Sequence, residues 1–211
     1  MIFITFEGIE GSGKSTQAKL LAESVKSLGK EVVVTREPGG TPLAEKIREF
    51  ILKNEGFKPI TELLLHNAAR YEHVSSLIMP ALQAKKIVIC DRYVDSTMAY
   101  QGYAMKTGKK LPAIIHNLCM EGVSPNLTII LDLDPAKGLA RSKSSGEQNR
   151  YEDFDLDFHS RVRNAFLDIA KIAPSRCMII DATKDVKLIH REIIDIMNDF
   201  FSLGLTSIAQ D

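Results

Sequence analysis

The chain has no surplus of charge: its 27 Lys and Arg residues balance 27 Asp and Glu residues across 211 positions. Nucleic-acid-binding domains ordinarily show a basic excess, so no nucleic-acid partner is expected. Long apolar runs are also missing. None approaches the roughly 18 residues that suggest a membrane helix, so no membrane association is expected. The first apolar stretch, Ile2–Phe6, stops at Glu7 and has no basic region before it, which is too short for a signal-peptide core. Cysteine is scarce. Cys90, Cys119 and Cys177 are odd in number, widely spaced and not part of any C-x-x-C pair. That argues against a disulfide framework or a zinc site and fits reduced thiols in the cytoplasm. No repeat of fixed period and no Pro/Gly-rich linker interrupts the sequence, so one domain over residues 1–211 is expected. Hydrophobic residues at 45% and charged residues at 26% are ordinary globular values, and a chain of this length can close a full core.

Five short β-branched-rich runs read as strands covered on both faces: Ile2–Phe6, Val32–Thr35, Ile87–Cys90, Thr128–Leu133 and Cys177–Ile180. They do not alternate apolar with polar residues, as parallel strands under helices need not. Stretches with apolar positions at helical spacing lie between them. One runs over Ala18 to Leu28 and ends at Gly29; others cover Leu43–Ile51, Leu63–Leu82, Val162–Ala170 and Ile189–Met197. The alternation predicts right-handed βαβ units in a three-layer α/β/α fold around a five-stranded parallel sheet. The polar stretch Ser142–Asn149 reads as a loop between two helices, and residues 141–151 as a helical lid.

Gly8-Ile9-Glu10-Gly11-Ser12-Gly13-Lys14-Ser15 satisfies G-x-x-x-x-G-K-[ST], follows a strand and precedes a helix. Glycines at these positions let successive backbone N–H groups curl around phosphates, and the helix N-terminus adds positive dipole. Lys14 supplies a charge for the β- and γ-phosphates, Ser15 suits Mg²⁺, and Thr16 continues the turn. This is the phosphate loop of a P-loop NTPase, and a nucleoside triphosphate is the expected ligand. Four apolar residues followed by Asp91 form the companion Mg²⁺-site pattern. Ile129-Ile130-Leu131-Asp132 has the same form, but the neighbouring Arg92 favours Asp91, and Asp132 reads as structural. A GTPase would need N-K-x-D; the nearest string, Thr183-Lys184-Asp185-Val186, lacks the second Asp. Arginines at or near the carboxyl ends of strands, where open α/β sheets bind ligands, favour a small kinase.

Three further strings follow the phosphate loop in order: Thr35-Arg36-Glu37-Pro38-Gly39-Gly40-Thr41, Asp91-Arg92-Tyr93 and Ala99-Tyr100-Gln101-Gly102. Together they resemble the bacterial thymidylate kinase family over nearly the whole chain. The resemblance implies transfer of the γ-phosphate of ATP to dTMP with Mg²⁺, by a homodimer. It implies that Arg92, with Arg48 and more weakly Arg36, holds the acceptor phosphate near Pro38. Arg70 then reaches thymine O4, and Gln101 reads the base edge beside Ser96 and Thr97. Tyr100 crowds the sugar C2′, and Glu10 meets the 3′-hydroxyl or the metal shell. Asp181 and Ala182 lie where the family contacts adenine. Another pyrimidine nucleotide kinase, and a P-loop switch or ATPase without a small acceptor, remain as alternatives.

This chain departs from the family at two places. His66 stands where the family usually has Phe, and a smaller, chargeable imidazole there predicts weaker or pH-sensitive acceptor binding. The phosphate loop contains no Arg, which resembles the branch that carries its catalytic cation in the lid. There the chain offers Arg141, Arg150 and Lys143, ranked in that order, with Ser145 where that branch often has another Arg.

Overall fold

The computed structural model describes residues 1–120, 122–145 and 150–208. The strands are β1 (Ile2–Glu7), β2 (Val32–Arg36), β3 (Ile87–Asp91), β4 (Leu127–Asp132) and β5 (Cys177–Asp181), all parallel, in the order β2-β3-β1-β4-β5. Pleating sorts their side chains to two cores. Ile4, Phe6 and Ile89 pack under α1 (Lys14–Ser27), α8 (Leu156–Ile172) and α9 (Val186–Phe201), whereas Phe3, Val88 and Cys90 pack with Val74, Ile78, Ala81 and Leu82, the stretch that follows α3 (Pro59–His73). Two of the expected fully buried strands are not. β2 and β5 are the sheet edges, leaving Val34 43% and Ile179 48% exposed, because an edge strand has a neighbour on one side only.

Local chemistry sets several boundaries. Gly13 and Gly29, both left-handed, bracket α1. In α2 (Pro42–Lys53), Thr41 caps the first turn through its side chain and Pro42 occupies a position that needs no N–H. Asp155 caps α8 by accepting from Phe158 N. The long helical stretch expected over 63–82 is broken: α3 passes through a π-helical segment, Val74–Ile78, into α4 (Met79–Gln83). A second π segment, Met98–Ala104, follows the short α5 (Val94–Thr97) and carries Tyr100 and Gln101. Helix α6 (Leu111–Cys119) then leads to β4.

The polar stretch expected as a loop over 142–149 is in part helix. Helix α7 (Pro135–Ser145) continues through its first half, and the chain resumes in a 3₁₀ turn, Arg150–Asp153. Residues 146–149 lie outside the described residues. The three cysteines are unpaired. Among the described residues, no helix is long and apolar enough to cross a membrane.

Candidate active site

The phosphate loop leaves β1 and enters α1. Gly8, Gly11 and Gly13 have φ of +137°, +69° and +92°, values that bring N–H groups to one side at no steric cost. The ammonium of Lys14 reaches back across the loop to Ile9 O at 2.7 Å and Ser12 Oγ at 3.4 Å. Burial, and then the nearby Arg92, lower its pKa to about 8 against the pull of Asp91, Glu10 and Glu7. Ser15 donates to Asp91 Oδ2, so two hard oxygen donors meet where α1 begins and β3 ends. Mg²⁺ keeps several waters and takes one or two protein ligands besides phosphate oxygens, and this pair fits that demand. No group of three or more His, Cys, Asp or Glu with metal-site geometry occurs among the described residues.

Beside the loop opens a cleft of about 550 Å³. Arg92 joins the two. It is left-handed at φ +68°, and its backbone N–H is held by Phe6 O at 2.9 Å. Its guanidinium donates to Gly8 O (2.9 Å), Ser96 Oγ (3.2 Å) and Glu10 Oε1 (3.1 Å), and lies 5.2 Å from the centre of the Tyr100 ring. The Tyr100 hydroxyl also donates to Glu10 Oε1, at 2.6 Å. Burial pushes the Glu10 carboxyl up, but Arg92 first, then His159, Lys14 and Tyr100, outweigh it and bring the pKa down to about 2. This acid inside the phosphate loop is thus held ionised by two cations, Arg92 and Lys14, with His159 and Tyr100 beside it. His159 Nδ1 lies 3.6 Å from Glu10 Oε2.

One face of α3 stands at the far wall: Glu62, His66, Arg70 and His73 recur there at helical spacing and are all buried, and His66 and Arg70 line the cleft. Arg70 Nε donates to Glu37 Oε2 at 2.6 Å, and its Nη2 donates to Tyr93 O and Thr97 Oγ1. Its Nη1 is buried with no hydrogen-bond partner among the described residues. A guanidinium fixed on two nitrogens with the third free at a cleft wall is a preorganised donor for a carbonyl oxygen. Glu37 also pairs with His73 at 3.1 Å, and His73 Nε2 with Thr35 Oγ1 at 2.7 Å. Arg48 Nη1 donates to Pro38 O at 3.0 Å.

His66 corrects the expectation of pH sensitivity. Burial first, and then Arg70, Arg150, Arg48 and Arg92, lower its pKa to about 3, so it is neutral across the physiological range. Its Nε2 lies 2.9 Å from Tyr151 Oη. That hydroxyl donates its one proton to Glu62 Oε1 at 2.8 Å, so the imidazole is the donor of the pair.

The cleft brings together Glu10, Pro38, Arg48, His66, Arg70, Arg92, Ser96, Thr97, Tyr100 and Gln101. Arg36 is not among its lining residues; exposed on β2, it pairs with Glu45 at 3.2 Å. The expected lid cations diverge. Arg141 donates to Ala182 O at 3.0 Å, beside Asp181 and the end of β5. Lys143 is exposed on α7. Arg150 turns to the cleft's far wall and donates to Glu62 Oε2 at 2.5 Å. Asp132 is held by both arms of Arg163, at 2.7 and 2.8 Å, as its structural reading expects.

Sequence reasoning passed over Glu37, Glu62, Tyr151 and Gly138. Glu37 sits inside the quoted Thr35–Thr41 string, and Glu62 precedes His66 and Arg70 by four and eight residues, so the string contained the first and a helical-face count would have found the second. Gly138 carries no local signal. It packs α7 onto the phosphate loop: a Cβ built there would stand 2.6 Å from Glu10 O.

The family model described as thymidylate kinase matches residues 6–193. Thymidylate kinase of Wolbachia pipientis wMel is 49% identical over 198 residues, 92% of this chain and 98% of the relative. That of Wolbachia pipientis subsp. Culex pipiens (strain wPip) is 48% identical over 200 residues, 93% of this chain and 95% of the relative. The crystal structure of thymidylate kinase from Ehrlichia chaffeensis is 41% identical, with a TM-score of 0.78, and the match covers 93% of this chain and 98% of that one. A phosphate loop opening onto an arginine-walled cleft, matched over nine-tenths of the sequence, makes this chain a member of the thymidylate kinase family.

Proposed function

We infer that the chain transfers the γ-phosphate of ATP to dTMP, giving ADP and dTDP. One observation carries the reading: Arg92 donates at once to the phosphate-loop carbonyl of Gly8 and to Glu10 and Ser96 in the cleft wall. A donor phosphate and an acceptor phosphate on either side of it would share that guanidinium. The acceptor is largely ionised at neutral pH, since a phosphate monoester has its second pKa near about 6. Catalysis therefore needs no strong base, only positioning and neutralisation of charge on the group in flight.

Each residue's part follows from its setting. The loop Gly8–Ser15, with Thr16, cradles the donor phosphates, and Lys14 binds the β/γ end. Ser15 and Asp91 hold Mg²⁺, which neutralises phosphate charge when bound. Arg92 and Arg48 take the acceptor phosphate from the cleft side. The free Nη1 of Arg70 meets a base carbonyl, and Tyr100, pinned by Glu10, fills the space a 2′-hydroxyl would need. Arg141, on the Ala182 carbonyl, lies on the adenine side with Asp181. It is the lid cation whose loss should lower turnover more than ATP affinity; Lys143 and Arg150 rank below it.

The unpaired cysteines favour a cytoplasmic setting. A homodimer through α3 and α6 is supported by Leu64, Tyr71, Ile114 and Leu118, which are 51% to 82% exposed on those helices. Sedimentation at micromolar concentration should give twice the monomer mass.

The decisive experiment is coupled ADP release with ATP and Mg²⁺, offering dTMP, dUMP, UMP, dCMP or AMP in turn, beside a control with no acceptor. Strong turnover with dTMP, weaker with dUMP and little with the rest is the expected result. Equal release without any acceptor would instead mark a nucleotide-hydrolysing switch.

A further inference from the structure

Glu62 is 2% exposed, sits in the first turn of α3 and is not one of the residues lining the cleft. It nevertheless collects three donors from two parts of the chain. Its Oε1 accepts from Gln101 Nε2 and from Tyr151 Oη, each at 2.8 Å, and its Oε2 accepts from Arg150 Nη2. Gln101 lies on the π segment and lines the cleft. An ionised carboxylate only accepts hydrogen bonds, so the amide of Gln101 has one allowed orientation: NH₂ on Glu62, Oε1 turned away from it. That oxygen has no partner among the described residues. The cleft wall therefore offers an acceptor in Gln101 Oε1 and a donor in Arg70 Nη1.

A pyrimidine with a 4-oxo group and an N3–H matches this pair. A cytosine presents the reverse, an amino group and a bare N3. Were the Gln101 amide to flip, its NH₂ would suit the bare N3 instead. The choice between the two bases thus turns on what holds that amide.

Resting on the kinase reading above, we propose that Glu62 is the positioning residue that sets base specificity: it fixes the amide of Gln101, and Arg150 and Tyr151, at the end of the 141–151 segment, dock on the same carboxylate. This gives Arg150 a task away from the phosphates. Its guanidinium lies 4.7 Å from the Tyr151 ring centre and 5.4 Å from that of Phe57.

The test compares kcat/KM for dTMP and dCMP in the wild type, Glu62→Gln, Gln101→Leu and the double variant. Glutamine at 62 can turn either an oxygen or an NH₂ to Gln101, so the amide is no longer held one way. The dTMP:dCMP ratio should fall about tenfold or more, a single hydrogen bond's worth of discrimination or better. Gln101→Leu should lower it as far, and the double variant no further, because Glu62 acts through Gln101. Glu62→Asp, which keeps a carboxylate, should restore part of the ratio. A purely structural Glu62 slows both substrates alike; an unchanged ratio in Glu62→Gln, or a double variant whose loss is the sum of the two, overturns the proposal. If Glu62→Gln does not fold, a Gln101→Leu ratio equal to the wild type's does so alone. Failure of the kinase reading looks different: the wild type itself would release ADP without an acceptor.

Discussion

His66 shows how far a side chain's behaviour depends on its neighbours. From its identity alone, an imidazole in a binding cleft invites a pH switch. Here burial first, and then four nearby arginines, lower its pKa to about 3. The sign of the linkage follows. The folded pKa lies below the unfolded one, so this group's contribution to stability is intact above pH about 6.5 and is lost progressively as pH falls toward 3. Acceptor binding, between pH 5.5 and 8, meets only the neutral ring. The ratio of the dTMP KM in His66→Phe to that in the wild type should therefore be flat over that range, a comparison in which the ligand's own titration cancels. Stability should differ instead. Below pH about 6 the wild type should lose about 1.4 kcal/mol per pH unit from this site, and the Phe variant should not. Urea unfolding at pH 5 and pH 7 reads this directly. A KM ratio that climbs as pH falls would mean that the imidazole charges in place.

At the scale of elements, the sequence was legible where the signal is short-range. All five strands lie within a residue of the apolar runs that predicted them: β1, β3 and β4 because parallel strands covered on both faces are largely apolar, and the edge strands β2 and β5 because they too are rich in β-branched residues or apolar ones. The phosphate loop was legible because its glycines and Lys14 have no cheaper reason to sit at that spacing. What sequence could not supply was contact between distant elements. Nothing in Pro135–Ser145 says that Gly138 touches residue 10, yet that approach decides how close α7 can come to the phosphate loop. The Cβ of an alanine at 138 would meet Glu10 O at 2.6 Å and Ile9 Cδ1 at 2.8 Å. Backbone oxygen does not yield as a flexible side chain does, so the loop or the helix must shift. A misplacement near 1 Å at a reacting site costs on the order of 10²-fold. Gly138→Ala should accordingly raise the ATP KM or lower kcat by at least about tenfold, with far-ultraviolet circular dichroism unchanged. Gly11→Ala should be worse: its Cβ would fall 2.1 Å from Gly138 O, at a φ of +69° that alanine resists. Normal ATP kinetics in Gly138→Ala would mean that α7 yields freely and does not set the loop's position.

Across the whole molecule, the sheet is pinned by a polar cluster beneath the site. Asp95, fully buried on α5, is gripped by both arms of Arg176 at 2.7 and 2.8 Å, from the turn before β5. Arg176 also donates to Thr128 Oγ1 on β4, which pairs with Thr5 Oγ1 on β1 at 2.9 Å. One guanidinium so ties β1, β4 and the chain entering β5 to the helix that follows Arg92. Glu7 lies alongside. Burial, and then the charge of Asp95, push its carboxyl up to about 8. Its folded pKa is raised, so its contribution favours the fold most below pH about 4.5 and fades as pH rises through 8. Removing the cation alone strands a buried carboxylate, and breaking such a pair costs about 3–5 kcal/mol. Arg176→Met should lose that much in urea unfolding at pH 7. Adding Asp95→Asn should recover much of it, since the neutral amide no longer needs the charge and Glu7 loses its nearest repulsion. A single variant as stable as the wild type would show that solvent reaches Asp95 through the 25% of the Arg176 side chain left exposed, and that the cluster does not hold the sheet together.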